Sequence, residues 1–196
     1  LLAAVAATFA VALAWGLGWL GRDSRAWRGV ALLTVALTLA APGPVAGMAL
    51  LLAYRTVDAI YDAPAIVVLA MAARTLPYAV LILWPALRAL PREQLDAAAV
   101  DGWGPAARAW RVALPLSRRA TAAVWASCFV LAVGELPATN LLAPPGVDTI
   151  SQLIWSLLHT GVESHLAGVA LVTLSAVAAA GGLAAVLLRN AVSRGP

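Results

Sequence analysis

Lysine is absent from the sequence, and all 13 basic residues are arginine. A nucleotide-binding loop of the form Gly-x-x-x-x-Gly-Lys is therefore excluded, and with it ATP hydrolysis by that device. Cysteine is almost absent too. The single Cys128 lies inside an apolar run, so no intramolecular disulfide can form and the redox compartment is unreadable. Charge of either sign is scarce, at 11% of residues against about 25% in soluble domains. What fills the space is apolar: 63% of the 196 residues, with a mean hydropathy of +0.90. A water-soluble core cannot absorb that much apolar surface with so few charges left to cover it. Disorder, a coiled coil, a disulfide scaffold and a soluble enzyme are excluded, and an integral membrane protein remains. The net charge of +4 would suit nucleic acid, but the positions of the arginines point to membrane topology instead.

Five runs are long enough to cross about 30 Å of hydrocarbon as helices: residues 1–20, 30–54, 64–90, 119–138 and 165–188. None alternates apolar with polar residues, so barrel strands are excluded and the fold class is an all-α polytopic bundle. Arg22, Arg25 and Arg28 follow the first run. Arg88, Arg92, Arg108, Arg111, Arg118 and Arg119 lie in or beside the loop between the third and fourth, and Arg189 and Arg194 close the chain. The positive-inside rule places these in the cytoplasm, with Leu1 outside and Pro196 inside. Pro42-Gly43-Pro44 breaks the second run, which also carries Gly43-x-x-x-Gly47. Pro77 and Pro85 sit in the third, and Gly181-Gly182 in the fifth. Prolines free backbone groups that lipid cannot satisfy, and small residues let helices approach closely. Both features suit either ordinary packing or a bundle that bends along a pathway. Trp15, Trp19, Trp27 and Trp84 sit near span ends, as interfacial anchors do. The whole chain reads as one membrane domain, 1–196, and, starting inside an apolar run without Met, as the C-terminal part of a longer polypeptide.

The loop of about residues 91–116 has its own helical logic. Arg92 to Asp101 lacks Gly and Pro and favours a helix. Gly102 ends it, and Pro105 starts a second helix that is expected to stop before Pro115. The order Asp96-Ala97-Ala98, three residues, Gly102, nine residues, Val112-Ala113-Leu114-Pro115 resembles the EAA loop of ABC importer permeases. That family's pattern is Glu-Ala-Ala, three residues, Gly, nine residues, Ile-x-Leu-Pro; Asp96 and Val112 depart from it. The resemblance implies that Asp96, Ala97, Ala98, Gly102, Leu114 and Pro115 form a coupling element that docks on a separate ABC ATPase dimer. Ala97 and Ala98 would permit close approach, Gly102 would supply the turn, and Asp96 would pair with the partner. The rival reading is an amphipathic loop touching only lipid headgroups. The resemblance further implies a bacterial inner-membrane location, an extracytoplasmic solute-binding protein and a second permease half. No cofactor is expected in this chain, ATP being bound by the partner subunit, and the chain is not expected to be an enzyme.

Arg74-Thr75-Leu76-Pro77-Tyr78, Gly134 to Thr139, Leu141 to Gly146, and Ile154 to Gly161 resemble the C-terminal half of ferric-iron-type permeases, implying ferric iron or another small polar solute as cargo. Arg74 and Glu135 stand at similar depths, about 21 Å above Arg88 and about 24 Å above Arg119. A buried arginine needs a partner, so an Arg74–Glu135 pair is expected, either structural or gating. Residues 139–162 form an outer-side re-entrant or interfacial segment. Its helix, about 148–160, sets Ile150, Leu153, Ile154, Leu157 and Leu158 on one face. It is suited to touch a binding protein. His159, Glu163 and His165 lie nearby but offer too few ligands for a metal site. Two rival functions are an ion-gradient-driven secondary transporter and a membrane enzyme using Glu135, His159 and His165.

Overall fold

The computed structural model describes residues 1–161 and 163–192. Every regular element among them is helical. Helix α1 spans Leu2–Asp23, α2 Arg25–Ala40, α3 Gly43–Tyr54, α4 Asp58–Tyr61 and α5 Pro64–Arg88. Helix α6 spans Arg92–Val100 and α7 Pro105–Arg108; a π-helical turn, Ala109–Ala113, leads into α8, Leu114–Val133. Helices α9, Thr139–Leu142, α10, Ile150–Thr160, and α11, Glu163–Val192, complete the order.

Paired ends fix the directions. Ala3 shares a core cluster with Ile66 and Val67, while Arg22 bonds the carbonyls of Leu87 and Leu90, so α1 and α5 run parallel. Trp15 meets Ser117 and Thr8 meets Trp125, so α8 runs antiparallel to α1. Four helical stretches, Leu2–Asp23, Pro64–Arg88, Pro105–Val133 and His165–Leu187, are long and apolar enough to cross a membrane. Because α1 and α5 are parallel, α2 to α4 must together carry the chain back once, which makes five passages.

That second passage breaks at Pro42 as expected but starts earlier than the run 30–54. It begins at Arg25, only Ser24 separates it from α1, and α2 and α3 meet at 111°. Ser24 caps α2 by accepting from the Trp27 N–H. At the break Ala41 adopts extended angles ahead of Pro42, where a following proline disfavours the helical region. Pro77 and Pro85, by contrast, leave α5 one continuous helix.

Packing depends on small residues. Ala3, Ala6, Ala7, Ala10 and Ala14 of α1 are buried, a helical stripe that lets its backbone close on α5. A Cβ on Gly43 would come within 2.6 Å of Pro137 Cβ, and one on Gly47 within 3.0 Å of the Ala138 carbonyl. The Gly-x-x-x-Gly face of α3 is therefore the seat of the 137–138 turn. Gly181 and Gly182 of α11 have no such neighbour within 4 Å. Trp15 and Trp19 stack at 5.8 Å and, with Trp84, pack partly buried against the core. Arg194 lies outside the described residues.

Candidate functional site

Two sets of residues singled out by sequence occupy separate levels of the bundle. The first is the loop after α5. Leu95 and Ala98 of α6 are buried, whereas Asp96, Ala97 and Val100 are exposed, Val100 to 88%. Ala98 therefore packs inward and does not face a partner, a correction to the reading of both alanines as a docking surface. Gly102 has φ +82°, the Gly102 N–H donates to Ala99 O and the Trp103 N–H to Ala98 O, each at 3.0 Å. This pair of bonds closes the helix end as a Schellman turn, which needs a left-handed residue at Gly102. The Arg111 guanidinium then lies 5.4 Å from the Trp103 ring centre, bracing the loop across its turn by cation–π attraction.

The second helix of the loop does not stop before Pro115. Helix continues through the π turn into α8, and Leu114 and Pro115 occupy the first turn of α8, not a loop. Proline removes an N–H and crowds the carbonyl four residues back, and a wider turn just before it relieves that crowding. The fourth passage thus ends at Val133 instead of 138.

At the root of the loop, Arg22 is 7% exposed and donates to Leu87 O at 3.1 Å and Leu90 O at 3.0 Å. A guanidinium here satisfies carbonyls that the end of α5 leaves unbonded, in the place where a helix dipole favours a cation. Topology counting treats Arg22 as one more cytoplasmic arginine. Only its place in the last turn of α1 hints otherwise, and the sequence carries no signal for its partners 65 and 68 residues on. Beside it a groove of about 600 Å³ separates the α1–α2 corner from α6 and is lined by Arg22, Asp23, Trp27, Asp96 and Arg108, among others.

The second set lies about 21 Å up α5 from Arg88. The structure brings Arg74 and Glu135 together, Nε to Oε2 3.7 Å, with the side chains 26% and 11% exposed. Arg74 Nη1 also donates to Ala41 O at 2.8 Å and Thr38 O at 3.3 Å. These are the carbonyls released where α2 breaks. Glu135 is not inside the fourth helix; it sits two residues past its last residue, and its Oε1 accepts from the Ala138 N–H at 2.9 Å. Thr139 donates to the Glu135 carbonyl, and Ser151 of α10 to the Val133 carbonyl at 2.6 Å. One charge pair thus ties α5, the α2–α3 break and the turn that leads to α9 and α10. In a low-dielectric setting such a pair is supported by further bonds, here the two carbonyls and the Ala138 N–H, while Arg74 Nε itself makes no hydrogen bond.

On the same side, a reciprocal Thr149–Gln152 capping box starts α10 at Ile150. No residue of α10 is buried: Ile154 and Leu157 are half-covered, while Ile150, Leu153, Trp155 and Leu158 are exposed. The His159 ring lies 4.3 Å from that of Trp155, tilted at 47° to it, and its Nδ1 is 2.8 Å from the Trp155 carbonyl. No three His, Cys, Asp or Glu side chains converge among the described residues. The side chain of Glu163 lies outside them.

Long apolar helices in alternating directions, with a structured loop between the third and fourth passages, define a multi-pass membrane protein. Its sequence matches the model of the binding-protein-dependent transport system inner membrane component over residues 6–194, and the chain belongs to that family. It is thus a permease component of an ABC importer, located in the inner membrane. No curated protein matches the sequence.

Proposed function

We propose that the chain forms one half of a solute path and receives mechanical work from a separate ATPase dimer through residues 96–115. The observation that carries this reading is the form of α6: an exposed edge of Asp96, Ala97 and Val100, a buried edge of Leu95 and Ala98, and a left-handed glycine stop at Gly102. A force applied to the exposed edge reaches the bundle through the buried edge, and through Arg22 it reaches α1 as well. The loop faces the cytoplasm, Leu1 the outside. The exposed apolar residues of α10 meet an extracytoplasmic solute-binding protein, and a second permease half completes the path. Ferric iron or another small polar solute is the cargo, on the likeness of residues 74–78, 134–146 and 154–161 to ferric-iron-type permeases.

Gly102→Val tests the coupling role. A Cβ at Gly102 meets nothing within 4 Å, so the cost is conformational and confined to the turn. The variant is expected to insert normally, to lose ATP-driven uptake, and to lose co-purification with the ATPase in mild detergent. Uptake at the unaltered rate would remove the coupling role. Uptake that proceeds without ATP would replace the mechanism with an ion-gradient one.

A further inference from the structure

We propose that Trp15 and Arg22 of α1 are positioning residues of the loop after α5: they clamp both roots of the loop to one face of α1, so that the first passage moves with the loop. The inference rests on the coupling role proposed for residues 96–115 and names the element that the loop drives. At the entry root, Arg22 donates to Leu87 O in the last turn of α5 and to Leu90 O just beyond it. At the exit root, the Trp15 indole N–H donates to Ser117 Oγ at 3.3 Å. The buried Ser117 hydroxyl donates in turn, at 2.8 Å, to the carbonyl of Ala113, the last residue of the π turn. Trp15 and Arg22 stand seven residues apart, two helical turns or about 10.5 Å, which sets them on one face of α1. Gly18 lies between them on that face, and a Cβ there would fall 2.8 Å from Leu87 Cδ1. Bare backbone thus seats α1 against the end of α5 at the level of the clamp.

Chain connectivity ties the loop to α5 at one end and to α8 at the other, and leaves α1 out. Leu90 and Leu95 share a core cluster with Ala14 of α1, but apolar contact is non-directional and lets one face slide on another. Hydrogen bonds weaken steeply as they bend, so the Arg22 and Trp15 bonds resist that sliding. A third bond of the same kind joins α1 to α8 away from the loop, the Trp125 indole N–H donating to Thr8 Oγ1 at 2.9 Å. It touches neither root. Because only Ser24 separates α1 from α2, a displacement of α1 passes to α2, whose far end carries the Ala41 carbonyl held by Arg74. The clamp therefore gives the loop a route to the middle of the bundle through the first two helices.

The test uses the full-length protein with its partner subunits in lipid nanodiscs. Spin labels on Ala106→Cys in α7 and Leu13→Cys in α1, both exposed positions, report the distance from loop to α1 by pulsed electron resonance. It is measured with and without ATP and vanadate, and the buried Cys128 takes no label. With the clamp intact, the distance is expected to be the same in both states. Arg22→Met together with Trp15→Phe should make it depend on ATP, because the loop then moves and α1 stays. Ser117→Ala, which removes one buried oxygen, is a milder variant and should show the same divergence in smaller measure. Arg22→Lys, which keeps a cationic donor at the entry root, should restore the constant distance. Thr8→Val removes the bond away from the loop and should leave the distance independent of ATP. A shift or broadening equal in both states would reduce the two residues to stabilising the fold and overturn the clamp. So would an ATP-dependent distance with the clamp intact or in Thr8→Val. A constant distance in the double variant, with the ATPase still bound, would overturn the clamp alone. Failure of the ATPase to co-purify with the unsubstituted chain would overturn the coupling role, and the clamp with it.

Discussion

Arg74 holds three acceptors that come from separate parts of the chain: two carbonyls at a helix break and one carboxylate. The partners are not equivalent. The nearest is the Ala41 carbonyl at 2.8 Å, and the carboxylate contact is longer, at 3.7 Å. Arg74→Met leaves both carbonyls and the carboxylate without the guanidinium, and is expected to cost about 3 kcal/mol of stability. Glu135→Gln keeps an oxygen for the Ala138 N–H and should cost only about 1 kcal/mol. Thermal unfolding of the two variants in the same detergent checks the order. Equal losses would mean that the carboxylate, not the break in α2, is what Arg74 serves. The pairing itself was legible in the sequence, because a mid-span arginine needs a counter-charge and only one acid stood at its depth. Its carbonyl partners were not legible. They are backbone atoms, and which ones become free depends on where Pro42 stops α2. Arg22 was hidden for the same reason, since a residue bonded to main chain leaves no side-chain partner to search for.

At the scale of elements, glycine serves two purposes that the sequence does not distinguish. Gly102 is needed for its left-handed backbone in open space, Gly47 for the absence of a Cβ under the Ala138 carbonyl. Gly47→Leu is expected to destabilise by about 1–3 kcal/mol through overpacking. Gly29→Leu, whose Cβ meets nothing within 4 Å, should be neutral or mildly stabilising. Monodispersity and Tm of the two variants on size exclusion separate the cases, and a loss at Gly29 matching that at Gly47 would refute the packing account. Helix existence was readable from hydropathy throughout, while two boundaries were not. Pro115 was expected to end a helix and does not, because a π turn makes room for it. The second passage was expected to start at residue 30 and to break at Pro42-Gly43-Pro44; the break is there, but the passage starts at Arg25, and X-Pro geometry at Ala41 lets the chain bend by as much as 111°.

For the whole molecule, the arginine distribution sets the proposed orientation, and a labelling experiment decides it. Cys128 is 1% exposed and gives a silent background. Val100→Cys and Leu158→Cys place thiols on residues 88% and 57% exposed, on the loop after α5 and on α10. A membrane-impermeant maleimide is expected to label Leu158→Cys in spheroplasts and Val100→Cys only after permeabilisation. The reverse pattern would invert the molecule. Five alternating passages were readable from run length. Which helices touch was not, since alanine and glycine faces look alike until a neighbour chooses one: α1 buries its alanine stripe, whereas of α11's small residues only Ala184 is buried among the described side chains.

The charge cluster also imposes an order on synthesis. The ribosome delivers the α1–α2 hairpin and its break first, Arg74 33 residues after Ala41, and Glu135 61 residues after Arg74. Until α5 arrives, the end of α2 has carbonyls with no donor; until the fourth passage is complete, Arg74 has no counter-charge. Each newcomer settles a debt left by the one before, so the second passage matures only when the fourth has been threaded. An insertion intermediate halted between them would keep α2 and α3 dependent on the insertion machinery for shelter from lipid.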